Sequence, residues 1–505
     1  MARINGGIIG PDNIPSGPLG SASGVWKLSD AFNYQKEGLW PVVTGITYPV
    51  ANSLRFNSGS SDYLSRSASS TTSITEGTIS AWVKRSSTGS NHTIFNSSYQ
   101  DGSTYYFRIF INSSDQLEIE NKDSPTNLLY KTNQVFRDVS SFYHILVRLS
   151  LTESGNNRVK VYVNGEQVTS FATQTAMTGD QFLMGKNNYT VKIGNTNSGT
   201  SNYWNGYMSD VYGIYGTALT PTSFGETDSV SGNWKAKAYS GNYAANSFFL
   251  QFNNSGALGT DSSGQSSTFT VNNLTSVDQS TDTPTTNFAT LNSLIVSGSP
   301  AYANGNTQIV TIGDNDSVVS NIGTDTMKFY FEVKLSSTYD GSGGGINVGG
   351  LREEQFNASG FNSGTFSGFN NAYTKFYGNG NDGRFKEGGG TLVTGGLTRA
   401  QSGNIVMIAI DPANNRVYAG VNGTWLNSSD PVAGTGYIGG TQASGTGNWF
   451  GYHSSDLDKG NCFVNYGSPS YAANGYADGN GFGDFSYAVP TGYYALNTQN
   501  LNDKG

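Results

Sequence analysis

Glu118 and Glu120 stand two positions apart in the run Glu118-Ile119-Glu120-Asn121-Lys122-Asp123, so the strand period of two puts both on one face. Paired carboxylates can cleave a glycosidic bond, one as acid and one as nucleophile on opposite sides of it. Strands that do so typically read Glu-x-Asp-x-Glu. This run breaks that pattern, and its plainer reading is a solvated strand face. His92, His144 and His453 lie far apart with no metal-ligand spacing, and His144 leads into an apolar strand as structural histidines do. No Ser–His or Cys–His nucleophile arrangement stands out. Cys462 heads a core-like strand and reads as a small hydrophobe. The chemistry that fits best is non-covalent. Sugars stack on aromatic rings and hydrogen-bond to Asn, Asp and backbone amides. Tyr373, Phe376, Tyr377, Trp425 and Trp449 fall in or beside the long Gly- and Asn-rich stretches 351–400 and 427–461, and Phe450 and Tyr452 follow Trp449. The competing reading is that these rings pin long loops down.

The elements that would carry such residues are strands. One hairpin pattern occurs twice. Asn156-Asn157-Arg158-Val159-Lys160-Val161-Tyr162-Val163-Asn164-Gly165 is matched by Asn414-Asn415-Arg416-Val417-Tyr418-Ala419-Gly420-Val421-Asn422-Gly423. Each has apolar residues at every second position and leaves through Asn-Gly, which tolerates the positive φ of a tight turn. Apolar runs precede both, Phe142 to Leu149 and Ile405 to Ile410. Tyr105 to Ile111 is expected to pair with Gln116 to Glu120 across a Ser-Ser-Asp turn. The fold class is therefore all-β: two antiparallel β-sandwich (jelly-roll) domains in tandem, with an irregular N-terminal arm containing a short helix. The boundaries read 1–50 for the arm, 51–226 for the first sandwich, 227–300 for a connector with short strands, and 301–505 for the second sandwich. Phe248, Phe249, Leu250 and Phe252 of the connector are too apolar to stay in water. In the arm, Ser29 caps a short helix that Gly38 ends, with Leu28 and Phe32 bracing the cap. So short a helix does not hold alone, which makes the arm a docking segment that buries Trp26, Phe32 and Trp40 against a partner or the first sandwich.

Composition narrows the function classes. The 505 residues carry a net charge of -8 and only 13% are charged, which argues against a nucleic-acid groove. The 66 glycines follow no three-residue period, and 13% aromatic residues set the chain apart from disordered sequences. With one cysteine, no intrachain disulfide forms. No apolar run is long enough to span a membrane, and the start has no signal-peptide core. Synthesis in a cytoplasm with release by lysis fits this polar, turn-rich chain.

Residues 51–226 resemble a laminin-G-like or concanavalin-A-like jelly roll through Leu54-Arg55-Phe56, Asp62-Tyr63-Leu64, Thr78 to Lys84, Val161 to Gly165 and Gly206 to Tyr212. Residues 301–500 resemble a SPRY domain through Phe329 to Val333, Gly403 to Asp411, Val417 to Trp425 and Phe463 to Gly467. With Gly24-Val25-Trp26, Phe252 to Ser255 and Asp282-Thr283-Pro284, the whole is similar to virion fibre or tail proteins of marine tailed phages (cyanophage- or pelagiphage-like). The resemblance implies a protein on the virion surface, tail or capsid, made in the host cytoplasm. It would bind other virion proteins through residues 1–50 and display sandwiches toward a host-surface glycan, with no nucleic-acid partner and no membrane insertion. It also implies a homo-oligomer, commonly a trimer in that class, although no heptads or β-helix support one. The laminin-G likeness implies calcium at a rim, with Asp62 and Asp210 as ligands; no other cofactor is expected. The reading is a non-enzymatic adhesin. Its rivals are a purely architectural decoration or connector protein and a glycan hydrolase of concanavalin-A-like fold.

Overall fold

The computed structural model describes residues 48–505 apart from short stretches, the longest being 337–345, 357–372 and 438–446. Trp26, Phe32 and Trp40, with the helix read over 29–38, lie outside the described residues. The protein is all-β. Its strands form two groups of antiparallel sheets consistent with tandem β-sandwiches, and the α-helix Thr498–Lys504 closes the chain.

In the first group, sheet I runs in the order Glu166–Gln167, Val159–Val163, Tyr143–Ser150, Glu76–Arg85, Gly206–Tyr215, Ser53–Phe56, Gln279–Ser280, with Phe248–Leu250 also paired to Gly206–Tyr215. Sheet II runs Phe171–Thr175, Thr126–Val135, Gln116–Asp123, Tyr105–Ile111, His92–Tyr99, Tyr189–Ile193, Tyr63–Ser67, Thr270–Asn272. Strand alternation decides what faces what. Ile79, Ala81 and Val83 of sheet I and Phe107, Ile109, Ile111, Leu117 and Ile119 of sheet II meet in one core. Their neighbours Trp82, Lys84, Arg108, Glu118 and Glu120 therefore stand on the outer faces. The 248–272 segment is built into these sheets, with Phe248 and Leu250 fully buried.

The second group pairs sheet III, which contains Ser317–Thr324, Trp449–Ser455, Ile346–Arg352 and Tyr373–Asn379, with sheet IV, which contains Cys462–Asn465, Phe329–Leu335, Ile405–Asp411 and Arg416–Val421. Both Asn-Gly hairpins form as the sequence suggested. Asn164 and Gly165 take φ of 49° and 84°, and Asn422 and Gly423 take 48° and 83°, the left-handed pair that a two-residue turn needs. They differ on their outer faces. Tyr162 is half-buried, whereas Tyr418 is fully buried beneath the C-terminal segment with Phe485 and Tyr493. Glu332 ties that segment down: its carboxylate accepts the Ser486 and Tyr487 backbone N–H groups at 2.9 Å each and the Tyr330 hydroxyl at 2.9 Å.

The two groups are joined through buried polar side chains. Arg55 is fully buried and donates to the Ser468 and Pro469 carbonyls at 3.3 and 2.9 Å. The Lys84 ammonium sits 2.9 Å from Asp282 and also donates to Asn287 Oδ1 at 2.7 Å. The Tyr207 hydroxyl donates to the Gly305 carbonyl at 2.9 Å, and Asn306 Nδ2 to that of Ser86 at 2.8 Å.

Candidate functional site

The outer face of sheet II carries a polar trough. Arg108, Glu118 and Lys131 come from three adjacent strands. The turn Asn112-Ser113-Ser114, with Asn91, Thr196 and Asn202, forms the rim of a cleft of about 300 Å³. Asn91, Ser113 and Asn202 are shared with a neighbouring cleft of about 470 Å³ that Tyr203 and Ser58 also line. The rim is held from below. Asp115, in the left-handed region at φ 64°, accepts from Arg85 at 2.8 Å, Arg137 at 3.0 Å and the Gly89 N–H at 2.9 Å. Burial works to raise its carboxyl, but the Gly89 N–H together with the Arg137 and Arg85 guanidiniums holds it below the usual carboxylate range. Asn112 Oδ1 accepts the Ser114 and Gln116 N–H groups, and Asn91 Oδ1 that of Ser113, so two loops form one fixed edge.

Charge in the trough is compensated within the protein. Glu118 receives Asn112 Nδ2 at 2.8 Å and faces Lys131 at 3.5 Å; Glu120 is bonded to Arg108. The Arg108 guanidinium also lies over the Tyr106 and Phe110 rings, at 4.6 and 4.8 Å. One polar atom is left over. Thr196 is only 3% exposed, lines the trough, and its Oγ1 has no hydrogen-bond partner among the described residues. A buried hydroxyl without a partner is costly, and a rotation of its side chain into the trough would let a ligand hydroxyl satisfy it. As for hydrolysis, the outward face of the strand reads Glu118, Glu120, Lys122. A lysine takes the third position, and each glutamate is engaged by its own cation.

Residues 58–223 match the family model of the concanavalin A-like lectin/glucanases superfamily. No curated protein matches the sequence. Among solved structures, the LG1-3 region of the laminin alpha2 chain is similar at 8% identity and a TM-score of 0.32, over 83% of this chain and 63% of that one. The chain thus spans less than two thirds of that structure's length. A SAP-like pentraxin from Limulus polyphemus is similar at 16% identity and a TM-score of 0.26, over 34% of this chain and 80% of that one. The SPRY domain of human HERC1 gives 11%, 0.26, 34% and 96% for the same quantities.

Of the rings read as an aromatic platform in the second half, Trp449, Tyr452 and Trp425 are taken up by packing within the protein. Trp449 begins a strand paired on both sides and is 1% exposed, with the Arg352 guanidinium 5.0 Å from its ring centre. Gly350 makes room for it, since a Cβ there would lie 2.7 Å from the indole. Tyr452 is 1% exposed under Val319, Leu351 and Phe356. Trp425 is half-buried, edge-on to Tyr330 at 6.4 Å, and packs against the same buried cluster as Phe482 and Tyr487 of the C-terminal segment. Tyr373, Phe376 and Tyr377 fall within the strand Tyr373–Asn379 rather than a loop, opposite Leu351, Val348 and Asn347. Sequence reasoning passed over Asn91, Asn112, Thr196 and Asn202. Asn and Ser clustered at strand ends were the available signal.

The calcium pair also separates. Asp62 accepts the Asn57 N–H at 2.8 Å and neighbours Asp278, while Asp210 is buried beside Tyr48 and Tyr212. Among the described residues no three His, Cys, Asp or Glu side chains group to hold a metal. The histidines are core residues. Burial pushes His92 down to about 4 and His144 and His453 to about 3, and it raises the Cys462 thiol.

Asp210 carries a pH signature. Burial pushes its carboxyl up to about 7, opposed by the Tyr48 hydroxyl. The folded state thus favours the protonated acid. Its contribution to stability is complete below the ordinary carboxylate pKa of about 4 and is lost as pH rises through about 7. The thermal midpoint is expected to fall between about pH 5 and about pH 8. Asp210→Asn, which suits the φ of 45°, reduces that fall and leaves a smaller one from Asp62, which burial raises to about 6. An unchanged pH profile in Asp210→Asn would refute the assignment.

Proposed function

We propose that the chain is a non-enzymatic virion-surface adhesin whose first sandwich binds neutral glycans in the sheet II trough. The observation that carries the binding is the trough's chemistry: a preformed polar cleft, cations already neutralised by Glu118 and Glu120, and the orphan Thr196 hydroxyl at its wall. An anionic ligand would have to compete with two carboxylates for Arg108 and Lys131. An uncharged polyol meets amides, hydroxyls and carboxylate acceptors without disturbing them. The match of residues 58–223 to a superfamily named for lectins and glucanases supports a carbohydrate ligand. Lys122 in the place of a third carboxylate, with both glutamates engaged, favours binding over cleavage. The virion setting, docking through residues 1–50 and assembly into an oligomer rest on the sequence resemblance to phage fibre and tail proteins. A glycan array probed with the full chain tests the binding. Neutral oligosaccharides are expected to be retained over acidic ones, and Thr196→Val to weaken the retention of those that occupy the trough. Retention of nothing would leave the architectural role standing. Electron microscopy of virions with an antibody to the chain tests the setting.

A further inference from the structure

A second cleft lies on the opposite face of the first sandwich, where sheet I, the hairpin Gly225–Thr227/Trp234–Ala236 and the C-terminal helix meet, with a volume of about 630 Å³. Trp82 and Trp234 line it, with the buried His144 between them. Trp82 and His144 lie 4.9 Å apart, and His144 and Trp234 lie edge to edge with centres 6.0 Å apart, Trp234 Nε1 donating to His144 Nδ1 at 3.0 Å. His144 Nδ1 is therefore the acceptor, and Nε2 carries the proton toward Ser80 Oγ at 2.8 Å. Gly165 and Gly225 seat the half-buried Trp234, since a Cβ on either would come within 2.5 Å of the indole. The far wall is fixed. Thr498 exchanges hydrogen bonds with the Asn287 backbone at 3.0 and 3.1 Å, and Gln499 Nε2 donates to the Thr285 carbonyl at 2.9 Å. Asn502 and Asp503 are exposed on the rim.

We propose that this cleft is a second carbohydrate site, taking a neutral mono- or disaccharide with its apolar ring face on Trp234 and its hydroxyls toward Asp228, Asn502 and Asp503. The lining mixes aromatic carbon with acceptor groups, as ring stacking plus hydroxyl recognition requires, and the volume is that of an ordinary small-ligand cleft. The charges select against other occupants. Lys235, the cation among the described lining residues, is held between Asp228 at 3.1 Å and Glu226 at 3.5 Å, so an acidic ligand would have to compete with two carboxylates for it. The site does not depend on the sheet II trough, which shares none of its residues.

Titration of the full chain with cellobiose, maltose and lactose, read by tryptophan fluorescence, tests this, with glucuronic acid as an acidic control. At least one neutral disaccharide is expected to give a saturable change that Trp234→Ala weakens about tenfold, the scale of one lost stacking contact. Because Trp234 also packs the hairpin, Asn502→Ala/Asp503→Ala on the exposed rim is measured in parallel and is expected to weaken the same response severalfold with the thermal midpoint unchanged. Thr196→Val is expected to leave it intact. No saturable response to any of the three sugars, or a response equal in wild type and both cleft variants, would overturn the proposal. A response lost in Thr196→Val and kept in the cleft variants would assign it to the trough instead.

Discussion

Asp282→Ala destabilises the protein by ~3–5 kcal/mol, because it strands a buried cation. Lys84 is 1% exposed, and among the described residues Asp282 is its one charged partner at 2.9 Å. The Asn287 and Phe288 oxygens remain, at 2.7 and 3.3 Å, but they carry no compensating charge. Asp282 also accepts the Phe288 N–H at 3.1 Å, which the alanine would leave without its acceptor. The double variant Lys84→Met/Asp282→Leu removes both charges, fills similar volume and is expected to lie near wild type. Urea unfolding of the three proteins, followed separately by tryptophan fluorescence and far-UV circular dichroism, measures this. A single variant within ~1 kcal/mol of wild type would mean that the pair is hydrated and the junction looser than described. Because the pair ties sheet I to the 282–288 segment, Asp282→Ala should also open that junction to protease ahead of either sandwich.

Trp449→Ala is expected to cost a similar ~3–5 kcal/mol, confined to the second sandwich. The indole is 1% exposed, lies within the core formed with Phe331, Val348 and Ile410, and holds the Arg352 guanidinium 5.0 Å from its centre. Alanine leaves a void that Gly350, with no side chain, cannot fill. Differential scanning calorimetry should show the loss, and sugar binding by the first sandwich should be unchanged. If Trp449→Ala instead kept its thermal midpoint and lost sugar binding, the ring would be a surface platform after all.

That contrast shows how a sequence misleads. Trp449 follows a Gly- and Ser-rich stretch, which reads as loop. What decides its fate is the glycine at position 350, nearly a hundred residues earlier, that lets the indole lie against its strand. The same limit hid the trough. Alternation put Glu118 and Glu120 on one face, and the pairing of Tyr105–Ile111 with Gln116–Asp123 was readable from the turn between them. That Glu120 meets Arg108 and Glu118 meets Lys131 depends on cross-strand register, and the rim brings together loops near 91, 112 and 196 that no period connects. The junction was least visible. Lys84 and Arg55 occupy outward strand positions that look solvated, yet their partners lie 198 and 413 residues further along. The Asn-Gly hairpins, by contrast, were legible because the turn and its two strands are contiguous and each residue's role is local.

The most direct test of the glycan-binding account is calorimetric titration of wild type and Thr196→Val with the neutral oligosaccharide that an array retains best. Valine matches threonine in shape, and the Thr196 hydroxyl has no partner among the described residues, so the fold should be unharmed or slightly firmer. Binding weakened about tenfold at an unchanged or higher thermal midpoint is the expected result, as for one lost buried hydrogen bond. Equal affinity in the two proteins would remove the sugar from the trough, and the absence of binding in wild type would contradict the account outright.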